Sequence, residues 1–323
     1  MLVPSIRHRT TLDASFEACR RLARATAGNF YYTFLTLPRR ERRAMCALYA
    51  FLRIADDLGD RDLPATTRSE DLMAWETALL AAVDGVEVNG VEVGGGSRAT
   101  GLRLVAIERP EIVLPAVASL VRAGELPLSP LRDVVTGVRR DLEPVDLSSE
   151  AALSDYCYYV AGAVGLACIH LWGCRDEAAR RPAIACGEAL QRTNILRDVP
   201  EDARLGRFYI ARETCDRFDC TRSDLATGQG RERLAGLLAD QIRRARACYA
   251  DAEALDDLLP PVGRPILAAM IGIYGGLLER IARDPLSIYR RRVALPAWRK
   301  VLWVGQALAV EQARRMWGKT GAT

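Results

Sequence analysis

Two stretches of the chain carry oxygen-bearing side chains at helical spacing. Asp56 and Asp60 are four residues apart in LRIADDLGD, and Asn194, Asp198 and Asp202 follow the same spacing in QRTNILRDVPEDARLGRFY. Residues four apart share one face of a helix, where like charges repel unless a cation compensates them. Carboxylate and amide oxygens are the ligands that Mg²⁺ prefers, together with substrate phosphates. The five residues are therefore predicted to bind magnesium, with manganese as an alternative.

Arginines accompany both acidic runs. Arg53 lies one turn before Asp56, and Arg197 adjoins Asp198. The planar guanidinium group suits phosphate oxygens. Two such helices facing each other would hold a cluster of metal ions and, through them, a diphosphate. A single acidic run has a simpler interpretation as a solvated surface patch, and some arginines have it too, notably Arg192, Arg204 and the run 290–292.

Pro200 lies between two of the carboxylates in the second run. A proline inside a helix removes the hydrogen bond to the carbonyl four residues earlier, here that of Leu196. The sequence leaves open whether the helix continues with a kink that re-aims Asp202 or ends and restarts.

The elements that must position these residues are helices. Apolar residues recur at helical spacing through most of the 323 residues, and alternation of period two is nearly absent, which predicts an all-α protein. The chain is interpreted as a single domain over 1–323, with a flexible insertion at 84–101 or, alternatively, a short β-hairpin there. The predicted helices are 13–28, 39–60, 67–84, 111–123, 130–139, 149–173, 176–202, 231–256, 261–283 and 296–317.

Composition excludes several classes of protein. A net charge of +4 with 27% charged residues does not suggest a nucleic-acid binder. Nine scattered cysteines without a CxxC pair favour buried thiols over disulfides or zinc, and His170 is interpreted as a core histidine. With no apolar run of signal-peptide length at the N-terminus, a cytoplasmic location is expected. The apolar stretches 158–173 and 265–278 are shorter than a membrane span and are interpreted as core helices.

The C-terminal stretch 298–319 combines tryptophans with arginine and lysine. One interpretation is a helix docked on the protein. The other is peripheral contact with a membrane surface, which would place the protein at the inner face of the membrane.

Three ordered motifs make the chain similar to a known family. LPRRERRAMCALYAFLRIADDLGD, DYCYYVAGAVGLACIHLWG and CGEALQRTNILRDVPEDARLGRFYI resemble the squalene and phytoene synthases, over positions 13–305. The resemblance implies an all-α isoprenoid-synthase helical bundle around a central apolar cavity. It also implies head-to-head (1′-1) condensation of two identical prenyl diphosphates through a cyclopropylcarbinyl diphosphate.

The resemblance also implies roles for individual residues. The metal ligands would be those already named. Catalytic roles fall to the metal ligands together with further polar residues, namely Arg53, Tyr156 and Gln191. Substrate-binding roles fall to Asn29, Phe30, Tyr49, Arg53, Arg197, Arg207, Tyr209, Tyr274 and Arg292. Without the resemblance, the tyrosines would be interpreted as core residues.

The chain departs from the family pattern in two places. Many members carry serine-lysine-serine-phenylalanine near the start, where this chain has Ala27-Gly28-Asn29-Phe30, so Asn29 replaces that diphosphate contact only in part. The leucine-proline that commonly follows the GRxY motif is Ile210-Ala211. Neither change removes a predicted metal ligand, and an active enzyme is expected.

The product is predicted from the first motif. ADDLGD is closer to the squalene-type motif than to the phytoene type, which favours two farnesyl diphosphates giving presqualene diphosphate. NADPH would be needed only if squalene is the final product. The alternative is two geranylgeranyl diphosphates giving phytoene, without a reductant. A different class of function is a noncatalytic prenyl-lipid-binding subunit, and association with other isoprenoid-pathway enzymes is a further expectation.

Overall fold

The structure is a computed structural model that describes residues 6–85 and 110–320. Its described residues are helices and connecting turns, with no β-strand among them, which confirms the all-α prediction. The chain forms two compact units, Met1–Leu142 and Glu143–Thr323. The single domain over 1–323 stays a prediction. The insertion predicted at 84–101 lies outside the described residues except for Asp84 and Gly85, which end the fourth helix.

The described part of the first unit, residues 6–85 and 110–142, contains six α-helices. Prolines precede three of them at the predicted breaks, because proline fixes an extended entry into the first turn. Helix α3 carries the first acidic run, and its buried Phe51 stacks on Trp75 of α4 with ring centroids 5.4 Å apart. The helices are α1 (Ile6–Thr26), α2 (Asn29–Phe34), α3 (Arg39–Gly59), α4 (Ala65–Val83), α5 (Leu114–Arg122) after a 3-10 turn (Pro110–Val113), and α6 (Leu128–Arg140).

The second unit is built around α9, which packs against α8, α11, α12 and α14. Its helices are α7 (Glu150–Cys157), α8 (Ala163–Leu171), α9 (Arg180–Arg204), α10 (Arg212–Arg217), α11 (Arg222–Thr227), α12 (Arg231–Ala252), α13 (Leu255–Leu258), α14 (Arg264–Arg283) and α15 (Ala297–Thr320). A π-helical turn (Tyr158–Gly162) joins α7 to α8, and 3-10 turns lie at Glu177–Ala179 and Pro285–Tyr289.

The structure answers the question that Pro200 raised. Helix α9 continues through this buried proline to Arg204, so both carboxylates of the second run belong to one helix. The sequence missed α2, α10 and α11, each six residues long, because so short a helix shows less than two turns of apolar repeat.

Two helical segments, Glu150–Leu171 and Arg264–Arg283, are long and apolar enough by length and composition to cross a membrane. These helices extend beyond the apolar runs 158–173 and 265–278 that the sequence shows, which is why they reach the length of a span. Roughly half of each is buried inside the protein, as in core helices, which pass the same test.

Glycines allow α9 to lie very close to the chain that joins α7 and α8. A Cβ atom on Gly187 would lie 2.6 Å from the carbonyl carbon of Ala161, and one on Gly165 would lie 2.5 Å from the carbonyl oxygen of Ala183. Both obstacles are backbone atoms, which cannot rotate away as a side chain can. The close packing of these helices therefore requires glycine, which has no side chain, at both positions.

Gly187→Ala is expected to destabilise the protein by about 1–3 kcal/mol, because the added methyl group overpacks a backbone contact. Gly275→Ala is the matched control, since a Cβ at that helical position meets nothing within 4 Å. The control should be neutral or slightly stabilising. Urea midpoints of the two variants and the wild type make the comparison, and equal midpoints for both variants would contradict the packing argument.

Candidate active site

The first acidic run lies at the C-terminal end of α3. The helix is anchored by buried Ile54, Ala55 and Leu58, while Asp56 and Asp60 are exposed to solvent. Asp60 caps the helix, and its backbone N–H donates to the Asp56 carbonyl over 2.9 Å. The apolar side of α3 thus holds the two carboxylates on an accessible side, as their spacing predicts.

The Asp56 carboxyl group is electrostatically crowded. Partial desolvation by the surrounding protein, together with repulsion from the neighbouring Asp60 carboxylate, raises the pKa of Asp56 to about 7. The positive charge of Arg53 acts in the opposite direction. Asp57 and Asp141 add smaller effects in the same direction as Asp60. A group that is reachable by solvent yet disfavoured as an anion is suited to binding a cation, because a positive ion removes the repulsion.

Arg53 supplies a buried hydrogen-bond donor beside the first row, which consists of Asp56 and Asp60. Its Nη2 forms an ion pair with Asp57 over 2.5 Å rather than with Asp56. Its Nε atom is buried and has no hydrogen-bond partner among the described residues. A buried guanidinium N–H without an acceptor is costly, so this position favours an anionic ligand such as a phosphate.

The remaining predicted residues of the first unit lie on α2 and α3. The Tyr49 hydroxyl donates to Thr26 Oγ1 over 3.2 Å, and its ring meets Phe34 edge-on with centroids 6.2 Å apart. This contact places α2, which begins at Asn29, against the face of α3 that carries Tyr49. Phe30 is partly buried in the first turn of α2.

The second row lies on one face of α9 and consists of four polar residues, Gln191, Asn194, Asp198 and Asp202. All four side chains are partly exposed, and their neighbours along the helix are mostly buried. The Asp198 carboxylate accepts from Arg197, with Nε to Oδ1 at 2.9 Å and a second bond from Nη2. Arg292 adds an ion pair to Asp198 at 3.4 Å. The structure thus brings the predicted phosphate ligands Arg197 and Arg292 onto a predicted metal ligand.

The carboxylates and cations around Asp198 are strongly coupled. Burial lowers the pKa of Arg197, but the hydrogen bond and charge of Asp198 more than offset this effect and raise it overall. Tyr274, which is buried on α14, and Asp202 contribute in the same direction. Arg197 is therefore a permanent cation that faces Tyr274 and both carboxylates of the row.

The segment after α9 folds back beside this row. Gly206 turns the chain with φ +77°, and the Arg207 N–H donates to the Asp202 carbonyl over 2.9 Å. Phe208 then forms a parallel bridge with Asp146. The result is that the Tyr209 ring contacts Tyr156 of α7, with centroids 5.0 Å apart and both rings buried.

The residues present fit a magnesium site that is completed by its ligand. Among the described residues, no group of three or more His, Cys, Asp or Glu side chains is positioned to hold a metal ion by itself. Mg²⁺ commonly uses one or two carboxylates and takes further oxygens from substrate phosphates. The repulsion at Asp56 and the unpartnered N–H of Arg53 are the features that such an assembly would relieve.

The two rows belong to different units, and their convergence on one cavity stays a prediction. The sequence did not single out Asp141, whose charge acts on Asp56. A lone aspartate after Arg139 and Arg140 carries no periodic signal, so it could not have been found this way.

Comparison with known proteins assigns the family. The family model described as squalene/phytoene synthase matches residues 23–299. The chain belongs to the squalene/phytoene synthase family. It is a prenyltransferase of the head-to-head type, and the resemblance seen in the three motifs is confirmed. Members of this family use a divalent metal ion to ionise the diphosphate.

Curated relatives of this family member extend over almost its whole length. It is 32% identical to a phytoene synthase from Arthrospira platensis, covering 93% of this chain and 94% of that protein. It is 31% identical to a 15-cis-phytoene synthase from Synechococcus elongatus, covering 90% and 91%. The predicted condensation of two farnesyl diphosphates is therefore less well supported than the alternative, the synthesis of phytoene. Nothing in these comparisons supports NADPH as a cofactor.

Solved structures confirm the isoprenoid-synthase fold of this family member. A dehydrosqualene synthase in complex with a ligand matches with a TM-score of 0.79 and 28% identity, covering 95% of this chain and 99% of that chain. The squalene synthase HpnC from Alicyclobacillus acidocaldarius matches with a TM-score of 0.74 and 28% identity, covering 88% and 97%.

The structure corrects the prediction that Arg192 of this prenyltransferase is a solvated surface residue. The Arg192 side chain is only 5% exposed. It donates to Glu188 over 2.8 Å, to Glu150 over 3.0 Å and to Ser154 over 3.1 Å. With a further bond to Gln241 over 3.4 Å, its partners come from α7, α12 and its own helix, so Arg192 has a structural role. Arg204 and the run 290–292 are exposed as expected, although Arg292 reaches Asp198.

Proposed function

We propose that the protein condenses two geranylgeranyl diphosphates to phytoene, with Mg²⁺ or, in its place, Mn²⁺. The observation that carries the proposal is the match to proteins named phytoene synthase over nine-tenths of this chain. Both aspartate rows lie within residues 23–299, which the family model matches. The DD of the first motif, which favoured farnesyl diphosphate, is one local feature and carries less weight than similarity along the whole chain.

The proposed reaction balances without a reductant. In the first step the C1–O bond of one substrate breaks, its carbon joins the other substrate, and a proton leaves as the cyclopropane ring closes. In the second step the remaining diphosphate leaves, the ring rearranges to a 1′-1 linkage, and a second proton is lost. Two diphosphates and two protons are released in total. No hydride enters the product, so NADPH has no part in this proposal.

Both departures of diphosphate require stabilisation of negative charge. Bound magnesium, held by Asp56, Asp60, Asn194, Asp198 and Asp202, would supply Lewis acidity toward the diphosphate oxygens. Arg53 would donate its unpartnered Nε–H to the same oxygens.

Arg197 and Arg292 are positioned to exchange partners. Both contact Asp198, so a diphosphate that reaches this end of α9 finds two guanidinium groups already gathered there. As they turn toward the phosphate oxygens, the Asp198 carboxylate becomes available to a cation. Arg207 would add a third cation from the segment after α9.

The carbocation formed when diphosphate leaves must be kept from water. Buried Tyr156 and Tyr209 form an aromatic pair in the second unit, and buried Tyr274 lies near Arg197. Aromatic faces stabilise a cation without attacking it, and a dry site prevents quenching. Gln191 continues the polar row of α9 by one turn toward the N-terminal end of that helix. In the first unit, Asn29, Phe30 and Tyr49 are proposed to contact the second substrate.

A product assay tests the proposal. The purified protein is incubated with Mg²⁺ and either farnesyl or geranylgeranyl diphosphate, with and without NADPH, and the hydrocarbon is identified by mass. We expect a 40-carbon product from geranylgeranyl diphosphate that does not depend on NADPH. Efficient conversion of farnesyl diphosphate alone would overturn the assignment and restore the 30-carbon alternative. Failure with both substrates would support the noncatalytic prenyl-lipid-binding alternative.

A further inference from the structure

The C-terminal helix α15 docks on α14 through one face only. Trp303 lies over Gly272, where an added Cβ would be 2.5 Å from Trp303 Cε3. Ala307 and Glu311, one and two turns further along, are buried on the same face. The family model ends at residue 299, so nearly all of α15 lies outside the part of the chain that this model describes.

The opposite face of α15 is apolar and exposed. Trp298 is 59% exposed and Leu302 is 60% exposed, and they are continued along the helix by other exposed apolar side chains. The outer stripe consists of Trp298, Val301, Leu302, Leu308 and Met316. Gly305, Ala309 and Ala313 fill helical positions between them, and Gln312 is the polar residue on this face. A surface helix ordinarily turns polar residues outward. Here the outward face is mostly apolar over about 27 Å.

Positive charge borders the outer stripe. Arg299 lies beside its first residue, with the guanidinium carbon 5.3 Å from the Trp298 ring centroid. Within the described part of the chain, no ion pair involves Arg299, Lys300 or Arg291 in the preceding loop. The single acidic residue in the sequence of α15 is Glu311, which is buried on the docking face and paired with Arg315. Arg314 is paired with Asp256 over 2.8 Å, so the uncompensated positive charge beside the outer stripe comes from Arg299 and Lys300 at its N-terminal end.

We propose that the outer stripe of α15 binds the surface of a lipid bilayer that contains anionic phospholipids. The helix lies in the plane of the interface with its apolar side chains among the acyl chains, and its arginine and lysine groups reach the headgroup phosphates. Trp298 with Arg299 forms the type of pair that is stable at this boundary, since the ring is amphipathic. A second copy of the chain is a poorer partner, because its stripe carries the same positive borders.

Vesicle binding tests the proposal with the full-length purified protein. The vesicles contain either phosphatidylcholine alone or phosphatidylcholine with phosphatidylglycerol, and bound protein is measured by co-sedimentation at low and high salt. We expect binding to the phosphatidylglycerol vesicles that weakens as salt rises, because salt screens the cationic border. The double variant Trp298→Glu/Leu302→Glu should reduce binding by at least about tenfold.

A matched control separates the stripe from general surface hydrophobicity. Met73 on α4 is 42% exposed in the other unit, so Met73→Glu adds one negative charge at an exposed apolar position, and Leu302→Glu alone adds the same single charge within the stripe. We expect Met73→Glu to bind vesicles as the wild type does. The proposal is overturned if the wild type ignores anionic vesicles or if the double variant and the control bind equally. It is also overturned if light scattering shows a wild-type dimer that the double variant dissociates and neither form binds vesicles.

Discussion

Asp198→Asn is expected to lower kcat by about 10²–10³-fold, the loss typical when one group that stabilises developing charge is removed. The substitution keeps the size and shape of the side chain but removes the charge that the cation requires. Asp198 also gathers Arg197 and Arg292 at the end of α9, so the neutral amide weakens the anion-binding group at the same time. Steady-state kinetics with the prenyl diphosphate substrate measures the loss.

Glu201→Gln is the control for this experiment. Glu201 is exposed on the same helix, so its replacement removes an identical charge without touching the row. Its kcat should match that of the wild type. A metal-ligand role further requires that the remaining activity of Asp198→Asn rises when the magnesium concentration is increased. If Asp198→Asn keeps most of its activity, the magnesium assignment for the second row has to be abandoned.

Arg192→Ala is expected to lower the free energy of unfolding by about 3–5 kcal/mol, since it removes the buried cation that two mostly buried carboxylates share and leaves Glu150 only the more distant Arg244 at 3.9 Å. Glu150 and Glu188 both depend on Arg192, and Glu150 also accepts from Thr214 and Gln241 over 2.6 Å each. Four helices, α7, α9, α10 and α12, meet in this network. Urea or thermal unfolding of the purified variant measures the change.

Arg204→Ala provides the comparison, because Arg204 is exposed near the end of the same helix. Its effect should stay within about 0.5 kcal/mol, as for most surface substitutions. The network also has a pH signature. Hydrogen bonds from Thr214, Gln241 and Arg192 outweigh burial and lower the pKa of Glu150, so its contribution is present at neutral pH and is lost as the pH falls through that lowered value. Equal stability of both variants would show that the network contributes little.

The spacing of residues in the sequence predicted the all-α fold. It also predicted which polar residues share one face of α3 and one face of α9. Helices α3 and α9 are long and apolar on one face, so their periodicity fixed which residues share a side. The burial of Arg192 could not be read in the same way, because Glu150 and Gln241 lie 42 and 49 residues away along the chain. The pairing of Arg53 with Asp57 rather than Asp56 depends on rotamers, which spacing does not determine. The preference for farnesyl diphosphate rested on one short motif, and the relatives support the phytoene alternative better.

The π-helical turn at Tyr158–Gly162 has a consequence for the orientation of everything that follows it. A turn of this kind accommodates one additional residue, which rotates the next part of the helix by about 100° relative to the part before it. Tyr156 before the turn can therefore meet Tyr209, while Gly165 after the turn is directed at the backbone of Ala183. A regular α-helix without the additional residue could form only one of these two contacts. The extra residue thus lets α7 and α8 face different directions around the helix axis. The aromatic pair sets the direction of α7, and the close contact of Gly165 with Ala183 sets that of α8.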